Sequence, residues 1–330
     1  MIRVTQLHKQ FRSPVPKEGA FKGLRGLFSR EVRVKEAVRD VSFTIQPGEF
    51  VGYIGPNGAG KSTTIKMLAG ILHPTSGEVS IGGLNPHRSR RQVARKLGVL
   101  FGQRTQLWWD LPVKDSYEIL AAMYGIPQER AKTRLAMLRE LLQLGEFYET
   151  PVRKLSLGQR MRADLAAALL HDPDILFLDE PTIGLDLIAK RNIRSFLREI
   201  NTELGKTILL TTHDMDDIEQ LCSRVMVINN GELGFDGSIS ELRKRIGLPS
   251  VLQVKYRKDS LPDEDGILHI QNSTDSALRC ARSDGDAYTF ECDRERLSAM
   301  EALRMLESLG AIVDVHMEEP HFEDIIHRVY

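Results

Sequence analysis

One short run constrains this chain more than any other: Gly55-Pro56-Asn57-Gly58-Ala59-Gly60-Lys61-Ser62, which fits G-x-x-x-x-G-K-[ST]. Its glycines let the backbone curl until successive N–H groups point inward, which is how a loop surrounds a phosphate. The motif needs a strand before it and a helix after it, and both are legible here. Val51-Gly52-Tyr53-Ile54 is apolar and strand-like, and Ile65, Leu68, Ala69 and Leu72 follow at helical spacing. The positive end of that helix then faces the same phosphates. In this arrangement Lys61 neutralises β- and γ-phosphate charge, and Ser62, followed by Thr63, offers a hydroxyl to Mg²⁺.

A phosphate cradle of this kind needs acidic residues opposite it. Ile175-Leu176-Phe177-Leu178-Asp179-Glu180 supplies them: a strand apolar on both faces delivers two carboxylates at its C-terminal tip, where open α/β sheets place ligands. Asp179 is suited to hold a magnesium ion, and Glu180 to polarise an attacking water as general base. Upstream lies Leu155-Ser156-Leu157-Gly158-Gln159-Arg160-Met161, a Ser-Gly-Gln turn opening a helix over 162–170, which is a second anion-binding helix start.

Taken in order, these motifs resemble those of the ATP-binding cassette (ABC) ATPases over residues 1 to about 246. The Ser156 run is similar to the family's signature motif, with Leu157 where a glycine is usual. The resemblance implies that Ser156, Gly158 and Gln159 bind the nucleotide of a second cassette. It also assigns Gln103 to the Q-loop, contacting Mg²⁺ and the attacking water, and Asp186 in Gly184-Leu185-Asp186 to the D-loop. His213 becomes the switch histidine that senses the γ-phosphate, and Phe11 the aromatic that stacks on adenine. Glu180, His213 and Lys61 would then carry catalysis, ATP and Mg²⁺ would be the ligands, and two copies would be needed to complete each site. Trp108 and Trp109, beside Arg104 and Leu111, are expected to form a docking groove for a membrane permease.

The remaining features set the frame. Short β-branched runs alternate with amphipathic helices, which predicts an α/β P-loop domain over 1–246 with a helical subdomain over about 104–170. Residues 115–145 read as strongly helical, and Asn230-Gly231 as a hairpin turn. An insertion over 13–34 carries Lys17, Lys22, Arg25 and Arg30 among Phe21, Leu24, Leu27 and Phe28, the composition of a basic amphipathic helix. Gly247-Leu248-Pro249-Ser250 marks a boundary, after which a small α+β domain over 247–330 is expected. Its predicted strands are 251–256, 288–292 and 311–315. Its helices place Leu297, Met300, Leu303 and Leu306, then Phe322, Ile325, Ile326 and Val329, on single faces.

With 45 basic and 45 acidic residues there is no net charge to grip nucleic acid wholesale. Three cysteines at unrelated spacings suggest reduced thiols. No stretch approaches the roughly 20 apolar residues of a membrane helix, so a permease would be a separate chain and this one a peripheral subunit at the cytoplasmic face. The single cassette with a short C-terminal domain resembles the exporter branch that includes drug-resistance, lipo-oligosaccharide and sodium-efflux ATPases. The competing reading is a soluble ABC ATPase acting on ribosomes or DNA.

Overall fold

The structure is a computed structural model that describes residues 1–14, 32–102, 104–294 and 296–318. The chain divides into two compact units, Met1–Ser238 and Ile239–Tyr330.

The first unit is built on a six-stranded sheet. Its order is β5 (Leu97–Phe101), β6 (Ile175–Asp179), β7 (Thr207–Thr211), β3 (Phe50–Ile54), β8 (Arg224–Asn229) and β9 (Glu232–Gly237). Pairing is parallel from β5 through β8, and β3 and β7 are buried at every residue, as strands covered on both faces must be. Only β9 runs antiparallel, through the Asn230-Gly231 turn that the sequence predicts; both residues have positive φ, 48° and 84°.

A second, three-stranded antiparallel sheet is ordered β2 (Val32–Ile45), β1 (Ile2–Pro14) and β4 (Ser76–Ile81). Ile2, Val4, Leu7, Val38, Val41, Ile45, Val79 and Ile81 bury its inner face against β3 and helix α1 (Lys61–Leu68) in one core. This sheet trims the predicted insertion. Ser13 pairs with Arg33 and Pro14 with Val32, so both ends of the 13–34 segment belong to strands. The basic helix expected between them lies outside the described residues.

Helices α2 (Arg90–Ala94), α3 (Val113–Tyr124), α4 (Gln128–Leu141), α5 (Leu157–Leu169), α6 (Leu187–Thr202) and α7 (Met215–Leu221) complete this unit. The stretch 115–145 is therefore two helices. Gly125 closes α3 with φ 66°, and Pro127, which has no N–H to continue a helix, caps α4.

The second unit runs α8 (Ile239–Ile246), β10 (Ser250–Tyr256), α9 (Glu264–Ser273), β11 (Leu278–Asp284), β12 (Ala287–Cys292), α10 (Ala299–Glu307) and β13 (Ile312–Glu318). Its sheet is antiparallel throughout, in the order β11-β12-β10-β13. From β10 onward this is the β-α-β-β-α-β succession of a split βαβ, ferredoxin-like unit. Leu252, Val254, Tyr256, Leu278, Phe290 and Leu306 form its core, and the Tyr256 hydroxyl donates to the Leu306 carbonyl at 3.0 Å. The predicted stripe on α10 holds at Leu303 and Leu306 and fails at Met300, which is 63% exposed. The C-terminal helix predicted around Phe322 lies outside the described residues.

Candidate functional site

The glycine loop joins β3 to α1, and the tightness of that junction explains its composition. Gly60 has φ 112°, and a Cβ there would lie 2.4 Å from the Ala37 carbonyl oxygen, so only glycine fits. The Ala59 amide donates to the Pro56 carbonyl, and the Ala59 carbonyl accepts from the Gly231 amide. The β8–β9 turn thereby braces the loop from behind. Lys61 is buried, and its Nζ donates to the Gly55 carbonyl at 2.5 Å and to the Pro56 carbonyl at 3.2 Å. Burial holds this ammonium below its ordinary pKa, while Glu180 and Asp179 pull the other way.

The parallel sheet brings the acidic strand end to the same place. Ser62 Oγ donates to Asp179 Oδ2 at 3.2 Å, and Thr211 Oγ1 donates to the other oxygen of that carboxylate. Oxygen donors of this kind suit a hard cation such as Mg²⁺. Among the described residues no group of three or more His, Cys, Asp or Glu could hold a metal alone. Glu180 Oε1 meets His213 Nε2 at 2.8 Å. The Glu180 backbone sits at φ 55°, a left-handed conformation costing about 1–3 kcal/mol for a non-glycine residue.

Lys61, Ser62, Glu180 and His213 share one open cavity of about 230 Å³, while Asp179 and Thr211 stand behind Ser62 without lining it. The cavity is lined by Phe11, Lys35, Ala37, Pro56, Asn57, Gly58, Gly60, Lys61, Ser62, Thr63, Glu180 and His213. Residues from both ends of the unit thus meet as the sequence predicts, and Phe11, on the β1–β2 hairpin, presents a ring 40% exposed beside the loop. Gly55 and Ala59 shape the loop without lining the cavity. Gln103 lies outside the described residues. Three contributors escaped the sequence reading: Lys35, Ala37 and Thr211. Thr211 alone had a legible signal, as a hydroxyl two places before His213 at the end of a buried strand.

The Ser156 run lies elsewhere. It lines a second cavity, of about 360 Å³, with Gly184, Leu185, Asp186 and Ile188, and this cavity has no residue in common with the first. Ser156 caps α5 in a capping box: its hydroxyl accepts from the Gln159 amide at 3.2 Å, and the Gln159 side chain accepts from the Ser156 amide at 2.9 Å. Leu157 is the first residue of α5 and takes no left-handed conformation, so the freedom of a glycine is not used there. Instead its Cδ2 lies 3.0 Å from where a Cβ on Gly184 would be, and Gly184 at φ 70° takes the left-handed conformation that favours glycine. Asp186 caps α6, accepting from the Ala189 amide at 2.8 Å. A structural job for Ser156 and Asp186 is thus visible beside any role in binding.

Trp108 and Trp109 are 37% and 49% exposed in the segment before α3, with the Arg160 guanidinium 5.8 Å from the Trp109 ring centre. That segment is tied to α5 by Asp164, whose Oδ1 accepts from the Thr105 hydroxyl at 2.8 Å and the Gln106 amide at 3.1 Å. Burial pushes the Asp164 carboxyl up to about 6, opposed by those two hydrogen bonds and by Arg160.

Comparison with known proteins gives a consistent picture. The profile of the family described as "ABC transporter" matches residues 38–183. The chain is 36% identical over 215 residues to the ABC transporter ATP-binding protein NatA of Bacillus subtilis (strain 168), covering 65% of this chain and 87% of that protein. It is 34% identical over 220 residues to the linearmycin resistance ATP-binding protein LnrL of the same organism, covering 67% and 70%. It is 36% identical over 287 residues to Nod factor export ATP-binding protein I of Burkholderia lata, covering 86% and 91%. Among solved structures, an ATP-binding subunit of an ABC transporter superposes with TM-score 0.62 at 26% identity, covering 74% of this chain and 93% of that one. A dimeric bacterial ABC transporter cassette gives 0.61 at 26% identity, covering 72% and 99%.

Proposed function

Since the chain belongs to the ABC transporter family as an ATP-binding, ATP-hydrolysing subunit, we propose that two copies bind head to tail. In that arrangement, the Lys61 cavity of one copy and the Ser156 face of the other enclose each ATP. The observation that carries this is the separation of the two cavities within one chain. A chain that holds both halves of a site apart needs a second copy to unite them, and solved relatives include a dimeric cassette and one bound to ADP and Pi.

In this reading, Phe11 stacks on the adenine and the Gly58–Thr63 backbone surrounds the phosphates. Lys61 exchanges its carbonyl partners for phosphate oxygens. Ser62, Asp179 and Gln103 would hold Mg²⁺, which when bound neutralises charge on the phosphate oxygens. Glu180 accepts the proton of the attacking water. His213, already hydrogen-bonded to Glu180, holds that carboxylate toward the γ-phosphate. From the partner copy, Ser156, Gly158, Gln159 and Asp186 close over the nucleotide. These steps rest on positioning and electrostatics, the main means of catalysing phosphoryl transfer.

The transporter would be an exporter with a separately encoded permease docked near Trp108 and Trp109. Drug resistance and Nod factor export stand in the names of its relatives. Among the described residues no helix is long and apolar enough to cross a membrane, which fits a peripheral subunit at the cytoplasmic face. The test is hydrolysis of MgATP by the purified chain and by Glu180→Gln, which keeps the shape and removes the base. The expected loss is about 10²-fold or more in kcat; a variant as fast as wild type would refute the assignment.

A further inference from the structure

Next to the Glu180–His213 pair in the chain lies a polar cluster, Thr182, Arg194, Thr212 and Asp217, none of which lines the Lys61 cavity. Asp217, on α7, is completely buried, and its neighbours Thr182, Thr212 and Arg194 are buried as well. One carboxylate oxygen, Asp217 Oδ2, accepts from Thr182 Oγ1 at 2.5 Å and from Thr212 Oγ1 at 3.1 Å. The other, Oδ1, accepts from Arg194 Nε at 2.5 Å, and Arg194 also donates to Asp214 Oδ1 at 3.0 Å.

The chain positions of the two threonines give the cluster its meaning. Thr182 stands two residues after Glu180, across Pro181, and Thr212 immediately precedes His213. A single oxygen therefore anchors both loops that carry the pair facing the cavity. Such an anchor is needed, because Glu180 is held in a left-handed backbone conformation that persists only where its surroundings over-determine it. From one side the Glu180 amide is fixed by the Thr211 carbonyl at 2.8 Å; from the other, Thr182 grips Asp217. Arg194 compensates the buried charge and comes from α6, the helix that Asp186 caps. A buried carboxylate is costly unless paired and hydrogen-bonded, and here Thr182 and Thr212 lead to the Glu180–His213 pair while Arg194 lies on the helix that starts at Asp186.

We infer that Asp217, charge-balanced by Arg194, is a positioning residue that sets the 2.8 Å register of Glu180 against His213 through the hydroxyls of Thr182 and Thr212. Neither Asp217 nor Arg194 lines the Lys61 cavity. The inference rests on the proposed roles of Glu180 and His213 and adds what holds them in register. Because α6 starts at Asp186, beside the face offered to a second copy, the same cluster links docking at that face to the geometry of the general base.

Removal of the buried charge risks unfolding, so the informative change is the smaller one. Thr182→Val keeps the shape and deletes the hydroxyl, and Thr182→Ser restores it. In MgATP hydrolysis by the full-length chain, T182V is expected to lower kcat about tenfold with KM for ATP within twofold of wild type. T182S should recover to within about threefold. Should T182V not fold, Thr212→Val removes the other hydroxyl from the same oxygen and carries the same expectation. A folded T182V with wild-type kcat, or one altered only in KM, overturns the inference and leaves the cluster purely structural. Glu180→Gln assayed in parallel separates the two readings. An inactive E180Q beside a fully active T182V removes the positioning role alone, whereas an active E180Q removes the site assignment and the inference together.

Discussion

At the scale of single residues, the site combines groups that sequence can name with groups that only folding brings together. Lys61, Ser62, Asp179 and Glu180 were legible because each sits in a contiguous motif at the end of a strand, where a parallel sheet delivers its ligands. Thr182 and Asp217 were not, since a threonine after a proline and an aspartate in a short helix carry no signal until β6 and β7 lie side by side. Leu157 shows the reverse case. A departure from the family's glycine is harmless to the backbone because the position is helical, and its side chain packs beside Gly184. Phe11 yields the clearest test at this scale. Base–aromatic stacking is worth about 1–3 kcal/mol, so Phe11→Ala should raise KM for ATP about tenfold with kcat little changed, and Phe11→Trp should restore it. Steady-state kinetics over ATP concentration decide the matter; an unchanged KM places the adenine elsewhere.

At the scale of elements, α5 joins the Ser156 turn at its start to the Thr105–Gln106 segment through Asp164. Burial raises this carboxyl to about 6, against about 3.9 in an unfolded chain. The folded state therefore holds the proton more tightly. The stability Asp164 contributes is full in acid and is lost as pH rises from about 4 through 6. Asp164→Asn, neutral at every pH, should match wild type near pH 4 and exceed it by about 2 kcal/mol at pH 7.5. Urea unfolding at both pH values measures this, and a difference that does not change with pH would contradict it. Elements with strong periodicity were readable, as were the turn at Asn230-Gly231 and the glycine and proline that part α3 from α4. Strand β11 was missed because after Leu278 its residues are mostly polar and exposed, the mark of an edge strand. The β1–β2 hairpin was missed because its alternation is broken by register shifts, with Gln6 and Asp40 at positive φ.

At the scale of the whole molecule, a P-loop unit carries two cavities with no residue in common, the proposed half-sites, and a ferredoxin-like unit follows it. That second unit was expected only as a small α+β domain; the strand order that defines it depends on pairings no local pattern encodes. The central claim is that one chain cannot enclose its own nucleotide. It is tested most directly by a disulfide between Asn57→Cys and Ser156→Cys, introduced together in the Glu180→Gln chain with the partly exposed Cys280 changed to Ser. Under mild oxidation, a covalent dimer should form with ATP and be absent without it. A chain that stays monomeric on a non-reducing gel with ATP bound, or that cross-links equally well without nucleotide, would contradict the account.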